Sequence, residues 1–287
     1  MIYSASRRTD LPAFYPDFIS EKVRRSRRLE AIVFWTKDIR NLIRHPDLAA
    51  VAGNFPCLVQ FTVTGLAGSA WEPGVAPLAE QLPELAELGR RLPRGAVIWR
   101  FDPILPWPGR GEDKTWFRRL LDRFRRLRDS LEETLGELDR AVVSFPDPYR
   151  QALARSGTAG LEWPFFAAGE KRRIIEALIG LMPVKGGETG REPGIELCCE
   201  PELAGLDGTG PASCVDGSQL AVLYGLPLSG LAKDPGQRQT CNCVTSTDIG
   251  SYELSCGHGC RYCYARRPTH PDLPASSAAS LSAPSSG

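Results

Sequence analysis

The stretch Ala31-Ile32-Val33-Phe34-Trp35 decides the predicted fold, because all of its residues are apolar and most are β-branched or aromatic. A continuous run of this kind is typical of a strand that is buried on both faces of a parallel sheet. Helical stretches separate most of the further strand-like runs, which are mostly apolar and cover residues 2–6, 57–64, 96–101, 141–145 and 195–199. Strands that alternate with helices predict βα units, so we expect an α/β fold in which six units form a partial or closed parallel barrel.

Composition sets broad limits on the kind of protein. The chain has 287 residues, of which 42% are hydrophobic and 24% charged, as in an ordinary globular protein. We expect a cytoplasmic protein without a membrane partner, because no apolar run is long enough to span a bilayer and the amino end lacks an apolar signal core. The net charge of +1 gives no general attraction to nucleic acid. We therefore do not expect nucleic acid as a partner.

The carboxy end carries Cys256-Gly257-His258-Gly259-Cys260-Arg261-Tyr262-Cys263-Tyr264-Ala265-Arg266, with thiols at the spacing C-x3-C-x2-C. The glycines let the backbone curl tightly, so that three sulfurs can turn toward one point. Three thiolates on a compact loop suit a [4Fe–4S] cluster and leave one of its irons open for a small molecule. The alternative is a zinc site, because His258 lies inside the loop and zinc takes four Cys or His ligands. The spacing favours the cluster.

This stretch resembles the signature of the radical S-adenosylmethionine (SAM) enzymes, in the version that spore photoproduct lyase-like members carry. Most of the chain also resembles an uncharacterised domain-of-unknown-function family with similar carboxy-terminal cysteines. The resemblance implies that Cys256, Cys260 and Cys263 hold a [4Fe–4S] cluster, that the open iron binds SAM, and that Tyr262 contributes to the adenine pocket. It also implies that an electron from an external donor such as flavodoxin or ferredoxin cleaves SAM. The resulting 5′-deoxyadenosyl radical would abstract hydrogen from a small-molecule or macromolecular substrate.

The place of the motif in the chain differs from that in radical SAM enzymes, which carry it near the amino end. We therefore expect a circular permutation, in which residues 246–254 lie beside the first strand and lead into the cysteine loop. Residues 1–240 would form the (βα) barrel body, and residues 241–270 would complete the same domain as an iron–sulfur segment. Residues 271–287, rich in Ser, Ala and Pro, predict a disordered tail.

Polar side chains stand where the predicted strands end, which is where α/β barrels collect their chemistry. SAM carries a carboxylate and an amino group, so arginine and carboxylate side chains at this edge would suit it. For each residue the alternative is a buried ion pair or a helix cap. We predict catalytic roles for Asp10, Arg100, Asp102 and Glu200, and cofactor binding by Arg7, Lys37 and Thr64 together with Tyr262.

Further cysteines lie outside the C-x3-C-x2-C loop. Cys198 or Cys199 ends a predicted strand, Cys214 follows in the next loop, and Cys241 and Cys243 form a C-x-C pair. A site of four sulfurs from Cys198, Cys214, Cys241 and Cys243 could hold a second iron–sulfur cluster or a structural zinc ion. The alternative is a set of buried free thiols, because free cysteine is a common core residue.

A rival function follows if the cysteine segment does no chemistry. The chain would then be a non-catalytic iron–sulfur or zinc protein, in which the segment closes the fold or senses redox state. A third interpretation, repair of nucleic-acid lesions, depends only on the similarity of the Tyr-Cys-Tyr-Ala-Arg string to the lyase-like members. Cleavage of SAM distinguishes the radical enzyme from the non-catalytic protein.

Overall fold

The computed structural model describes residues 1–107, 115–136, 138–182, 194–228 and 230–265. The predicted tail at residues 271–287 and the last part of the cysteine segment, residues 266–270, lie outside the described residues.

Within the described residues, one parallel sheet of eight strands forms the centre of the fold, in the order β7-β6-β5-β4-β3-β2-β1-β8. The prediction of an α/β fold with parallel strands is therefore confirmed. The first six strands fall on the six predicted runs, and β7 and β8 form the two edges of the sheet. The strands are β1 Ile2–Ala5, β2 Ala31–Thr36, β3 Cys57–Thr62, β4 Val97–Phe101, β5 Arg140–Val143, β6 Gly194–Leu197, β7 Thr209–Pro211 and β8 Thr247–Asp248.

Helices follow most of the strands. The longest one begins at Trp116 and ends at Leu135, because Gly136 takes a left-handed conformation with φ of 77° and caps it. Arg140, four residues beyond the cap, already belongs to β5. The helices are α1 Leu11–Phe14, α2 Pro16–Arg25, α3 Asn41–Arg44, α4 Pro46–Asn54, α5 Leu82–Arg91, α6 Trp116–Leu135, α7 Arg150–Thr158, α8 Ala168–Ile179 and α9 Gly217–Tyr224.

The core lies between the sheet and the helices that pack on it. Trp99 and Phe101 of β4 contact Phe124 of α6, with ring centroids 4.6 and 5.2 Å apart. Burial of an apolar side chain of this size stabilises the fold by about 1.5–3 kcal/mol. This packing fixes the faces of the sheet and leaves its carboxyl edge for polar side chains.

The carboxy-terminal segment returns to the first strand. Thr247 and Asp248 pair in parallel with Tyr3 and Ser4, and the Ile249 amide donates to the Ser4 carbonyl at 3.0 Å. The structure thus places the segment before the cysteine loop beside β1, as the motif position led us to expect. Because the two strands are parallel, the chain leaves β8 at the carboxyl edge of the sheet.

Candidate functional site

One cavity of about 520 Å³ lies at the carboxyl edge of the sheet. Strands of a parallel sheet all end at the same edge, so the residues that follow them meet there. The cysteine loop forms another part of the wall. The predicted site residues that line the cavity are Arg7, Asp10, Lys37, Arg100, Asp102, Cys198, Glu200, Cys214, Cys241, Cys243, Cys256, Cys260, Tyr262 and Cys263.

Thr64 is the predicted site residue that does not line this cavity. Strand β3 ends at Thr62, which lines the cavity in its place. Thr64 is buried two residues farther on, where its hydroxyl accepts a hydrogen bond from the Leu66 amide at 3.3 Å. It also contacts the carboxylate of Glu72. The structure therefore gives Thr64 a supporting position behind the wall of the cavity.

The cysteine loop brings its three thiols close enough to influence one another. Burial raises the pKa of the Cys256 thiol to about 12, and the Asp10 carboxylate and Cys263 raise it further in the same direction. Burial also raises the pKa of Cys260 well above its usual value, against the opposing effect of the Lys37 ammonium. In the metal-free protein these two thiols therefore keep their protons at neutral pH, and binding a metal through them would release protons.

Close backbone packing holds the loop in place. The Gly74 amide donates to the His258 carbonyl at 3.0 Å, and the Arg261 amide donates to the Trp71 carbonyl at 2.9 Å. A Cβ atom at Gly257 would lie 2.5 Å from Cε1 of Phe14, which is too close for any side chain. Gly259 has a φ of +63°, a conformation that favours glycine.

The contacts of His258 do not suit a zinc ligand. The imidazole is buried, with Nε2 2.7 Å from Oδ2 of Asp10 and Nδ1 3.3 Å from the Gly74 carbonyl oxygen. Both ring nitrogens therefore face acceptor oxygens of the protein, and neither faces the thiols of the loop. This arrangement disfavours the zinc alternative that depends on His258.

Asp10 connects three parts of the site. Its Oδ1 caps α1 by accepting the Ala13 amide at 3.0 Å. Its Oδ2 accepts from the Thr36 hydroxyl at 3.1 Å and the Lys37 amide at 2.7 Å, and it contacts His258. Both oxygens of the Asp10 carboxylate therefore already have partners within the protein. The structure favours a positioning role for Asp10, as the helix-cap alternative had suggested, over direct contact with a substrate.

Glu72 organises the wall beside Cys260, and sequence patterns did not reveal it. The Lys37 ammonium lies 2.9 Å from its Oε1, and the Tyr262 hydroxyl donates to the same oxygen. Burial alone would raise the pKa of this carboxyl, but Lys37, Tyr262 and Thr64 together lower it below its usual value. Glu72 follows no predicted strand directly, which is why its position gave no signal.

Two arginines flank the indole of Trp35. The guanidinium of Arg7 lies 5.3 Å from the centre of the Trp35 ring, and that of Arg100 lies 5.2 Å from it. Nη2 of Arg7 is buried without a hydrogen-bond partner among the described residues. Arg100 donates to Sγ of Cys214 at 2.7 Å and pairs with Asp102. Arg7 therefore offers a donor to a ligand, whereas Arg100 is already engaged.

The other predicted carboxylates also have partners. Asp102 accepts from the Ser144 hydroxyl in addition to Arg100. Glu200 accepts from the Phe145 amide at 2.8 Å and from Lys171 Nζ at 2.8 Å. Burial raises the pKa of Glu200, against the opposing effect of Lys171. Their catalytic roles stay predictions.

A second group of cysteines lies on the same cavity. Cys198, Cys199, Cys214, Cys241 and Cys243 contact one another through their thiols. Strand β6 ends at Leu197, so Cys198 and Cys199 stand in the turn after it. The sequence had allowed either of these two, and the structure brings both to the group. Hydrogen bonds from Cys214 and Cys241 lower the pKa of Cys243.

In the described part of the chain, no helix combines the length and the apolar content that crossing a bilayer requires.

Comparison with known proteins gives one match. The family model described as a domain of unknown function, DUF1848, matches residues 23–265 and so covers both cysteine groups. Searches of the curated proteins and of the solved structures gave no match. Because the family model spans most of the chain, the chain belongs to the DUF1848 family.

Proposed function

We propose that this chain is a radical SAM-like enzyme in which Cys256, Cys260 and Cys263 hold a [4Fe–4S] cluster. The observation that carries the proposal is the position of the cysteine loop. Its three thiols lie on the wall of the cavity where the parallel strands end, and not on a surface away from it. A loop that only closed the fold would have no need of this position.

The residues around the loop fit the proposed cofactor. Three cysteine thiols within one another's influence are a suitable donor set for a cubane, and the cavity gives a small molecule room beside them. His258 is engaged elsewhere, so the loop offers three sulfurs and leaves one iron open for SAM. When bound, such a cluster supplies the one-electron reduction that SAM cleavage requires.

Residues of the wall suit the polar groups of SAM. The unpartnered Nη2 of Arg7 can donate to the carboxylate of SAM, because guanidinium groups bind carboxylates strongly. Tyr262 lies between the last two motif cysteines, where it can border the adenine. Lys37 and Glu72 hold its hydroxyl and ring in position, with the ammonium 5.7 Å from the ring centre. Lys37 thus supports the pocket through Glu72 and Tyr262.

The fold also suits the proposal. We propose that the sheet is a permuted (βα) barrel of the radical SAM type, in which β8 and the cysteine loop take the place of the first unit. Support comes from the pairing of β8 with β1, which brings the loop to the carboxyl edge although it comes last in the chain.

SAM cleavage tests the proposal directly. The protein is reconstituted anaerobically with iron and sulfide, reduced with dithionite and incubated with SAM, and 5′-deoxyadenosine is measured by mass spectrometry. We expect 5′-deoxyadenosine and an electron paramagnetic resonance (EPR) signal of the reduced cluster that changes when SAM is added. Replacement of Cys256, Cys260 and Cys263 together by Ala should abolish both.

Cys57→Ala is the matched control, because Cys57 is buried in β3 and lies outside the cavity. This variant should keep the product and the SAM-sensitive signal. A reconstituted protein that holds iron but forms no 5′-deoxyadenosine would favour the non-catalytic alternative. A protein that takes up only zinc would rule out the cluster.

A further inference from the structure

The second group of cysteines, named here the thiol ring, comes from three separate segments of the chain. Two members follow β6, one follows β7, and two lie in the segment that leads to β8. Their thiols face the same cavity as the cysteine loop. A fold that only needed small apolar residues would have no reason to gather them at one place. The members of the thiol ring are Cys198, Cys199, Cys214, Cys241 and Cys243.

The contacts within the group form a closed ring. Cys198 contacts Cys199 and Cys214, and Cys243 contacts Cys214 and Cys241. A contact between Cys199 and Cys241 completes it. Each sulfur therefore meets two neighbours.

Two kinds of metal centre could use these thiols. Zinc would require four sulfurs at about 2.3 Å from a single point. Among the described residues, no group of three or more His, Cys, Asp or Glu side chains is arranged to hold a single metal ion. A [4Fe–4S] cluster instead takes one thiolate at each of four irons. The five thiols line one cavity and come from three segments of the chain, so they can supply the four separate ligands of a cluster.

The surroundings of the ring also fit a cluster. Arg100 donates to Sγ of Cys214 at 2.7 Å, and the Val215 amide donates to Sγ of Cys243 at 3.4 Å. Hydrogen bonds to ligand sulfurs are a usual feature of iron–sulfur sites and tune their potential. Cys199 has a φ of 60°, a left-handed conformation that costs free energy for a residue other than glycine. This conformation brings the Cys199 thiol into the ring.

We propose that the thiol ring holds a second [4Fe–4S] cluster, with four of the five thiols as ligands, on the cavity that the cysteine loop also lines. With four cysteine ligands this second cluster has no open iron, so it differs from the first in having no site for SAM. The inference goes beyond the proposed function and does not depend on it, because the two clusters use different cysteines.

Iron counting in matched variants tests the inference. Wild-type protein, reconstituted anaerobically, should hold about eight iron and eight sulfide ions per chain, as two [4Fe–4S] clusters require. The Cys198→Ser, Cys241→Ser, Cys243→Ser variant leaves too few ring thiols and should lose about half of the iron. It should keep the SAM-sensitive EPR signal. The variant with Ala at Cys256, Cys260 and Cys263 should keep the other half without that signal. Cys57→Ser, outside both groups, should keep all of it.

The outcomes separate this inference from the proposed function. About four irons in the wild type, all lost from the Cys256, Cys260, Cys263 variant, would overturn the second cluster and leave the first. About four irons that are lost only from the thiol-ring variant would overturn the proposed function and leave the thiol ring as an iron site. One zinc ion in place of the ring iron would also overturn the inference. If a variant fails to fold, a wild-type count of about eight irons with the Mössbauer spectrum of [4Fe–4S] clusters supports the inference, and a count of about four contradicts the presence of two clusters.

Discussion

At the scale of single residues, Asp10 illustrates how a carboxylate can serve a site without touching the substrate. Its two oxygens accept from α1, from the end of β2 and from the cysteine loop. We predict that Asp10→Ala lowers the free energy of unfolding of the metal-free protein by roughly 3–5 kcal/mol, because it leaves several buried donors without an acceptor. Denaturant unfolding measures this change.

Asp47→Ala is the control for Asp10, because the Asp47 carboxylate is largely exposed. Its ion pair with the exposed Arg24 is long, at 4.0 Å. The Asp47→Ala substitution should change the free energy of unfolding by less than about 1 kcal/mol. If the two variants were equally stable, Asp10 would not hold the loop, and a catalytic role would become the better interpretation.

Glu72 gives a prediction on pH. Its pKa is lowered from the ordinary value of 4.5, because Lys37 and Tyr262 outweigh the effect of burial. A carboxyl with a lowered pKa stabilises the fold fully above about 4.5, and this stabilisation is lost as the pH falls through the lower value in the folded protein. The stability difference between the wild type and Glu72→Gln should therefore be largest at neutral pH and shrink below about pH 4.5.

Thermal or denaturant unfolding across pH 3 to 7 checks the Glu72 prediction. At neutral pH the loss should be about 3–5 kcal/mol, because Lys37 would be left without its buried partner. Glu21→Gln, in an exposed pair with Arg25, should cost less than about 1 kcal/mol at any of these pH values. A stability difference for Glu72→Gln that stays constant down to pH 3 would contradict the prediction.

At the scale of elements, the cysteine loop depends on a close approach to α1. A methyl group at Gly257 would lie 2.5 Å from the ring of Phe14, whereas one at Gly53 in α4 would meet nothing within 4 Å. We predict that Gly257→Ala displaces the loop and lowers the iron bound by the reconstituted protein by up to about half, which is the share of the cysteine loop when the thiol ring keeps its own cluster. Gly53→Ala should leave the iron content unchanged, because the added methyl group has space.

A second substitution tests the cause of the Gly257 effect. Phe14→Leu removes the ring that a Cβ atom would meet, so the Phe14→Leu, Gly257→Ala double variant should regain part of the iron that Gly257→Ala loses. No recovery in the double variant would show that the backbone at residue 257, and not the contact with Phe14, limits the loop.

The elements also show what the sequence could predict. Mostly apolar runs identified β1 to β6, because strands buried in a parallel sheet leave a local pattern in the sequence. Strands β7 and β8 span three and two residues and carry no such pattern. The sequence correctly predicted that most of the polar side chains at the strand ends line one cavity. Glu72 was missed because a long connection, and not a strand, brings it to Lys37 and Tyr262 of the cavity wall. The hydrogen-bond partner of each carboxylate depends on packing between distant parts of the chain. A local sequence pattern therefore does not predict that partner.

At the scale of the whole molecule, the two ends of the described chain are joined side by side. Besides the pairing of β8 with β1, the Thr9 hydroxyl donates to the Leu254 carbonyl at 2.9 Å, and the Tyr15 hydroxyl donates to the Ser255 carbonyl at 2.9 Å. The cysteine loop therefore belongs, in space, to the beginning of the chain. The loop comes late in the sequence only because of the order in which the chain connects the segments.

A permuted chain tests this view of the molecule. In it Gly287 is joined to Met1, and the chain is opened before Gly236, which lies in an exposed turn. The cysteine segment then precedes β1, as in radical SAM enzymes. A domain of this size is about 50 Å across, and an added glycine–serine linker of about 25 residues at the join can span roughly 80 Å when extended. The join therefore imposes no strain.

We predict that this permutant folds, melts within a few degrees of the parent and binds the same amount of iron, because every contact between β8 and β1 is retained. A second permutant, opened between Val59 and Gln60 in the middle of buried β3, is the control and should not fold, because the cut breaks a central strand. Calorimetry and iron analysis compare the three chains. If the permutant opened before Gly236 failed like the control, the order of the segments along the chain would matter for folding. The cysteine loop could not then be exchanged for the first unit of a barrel.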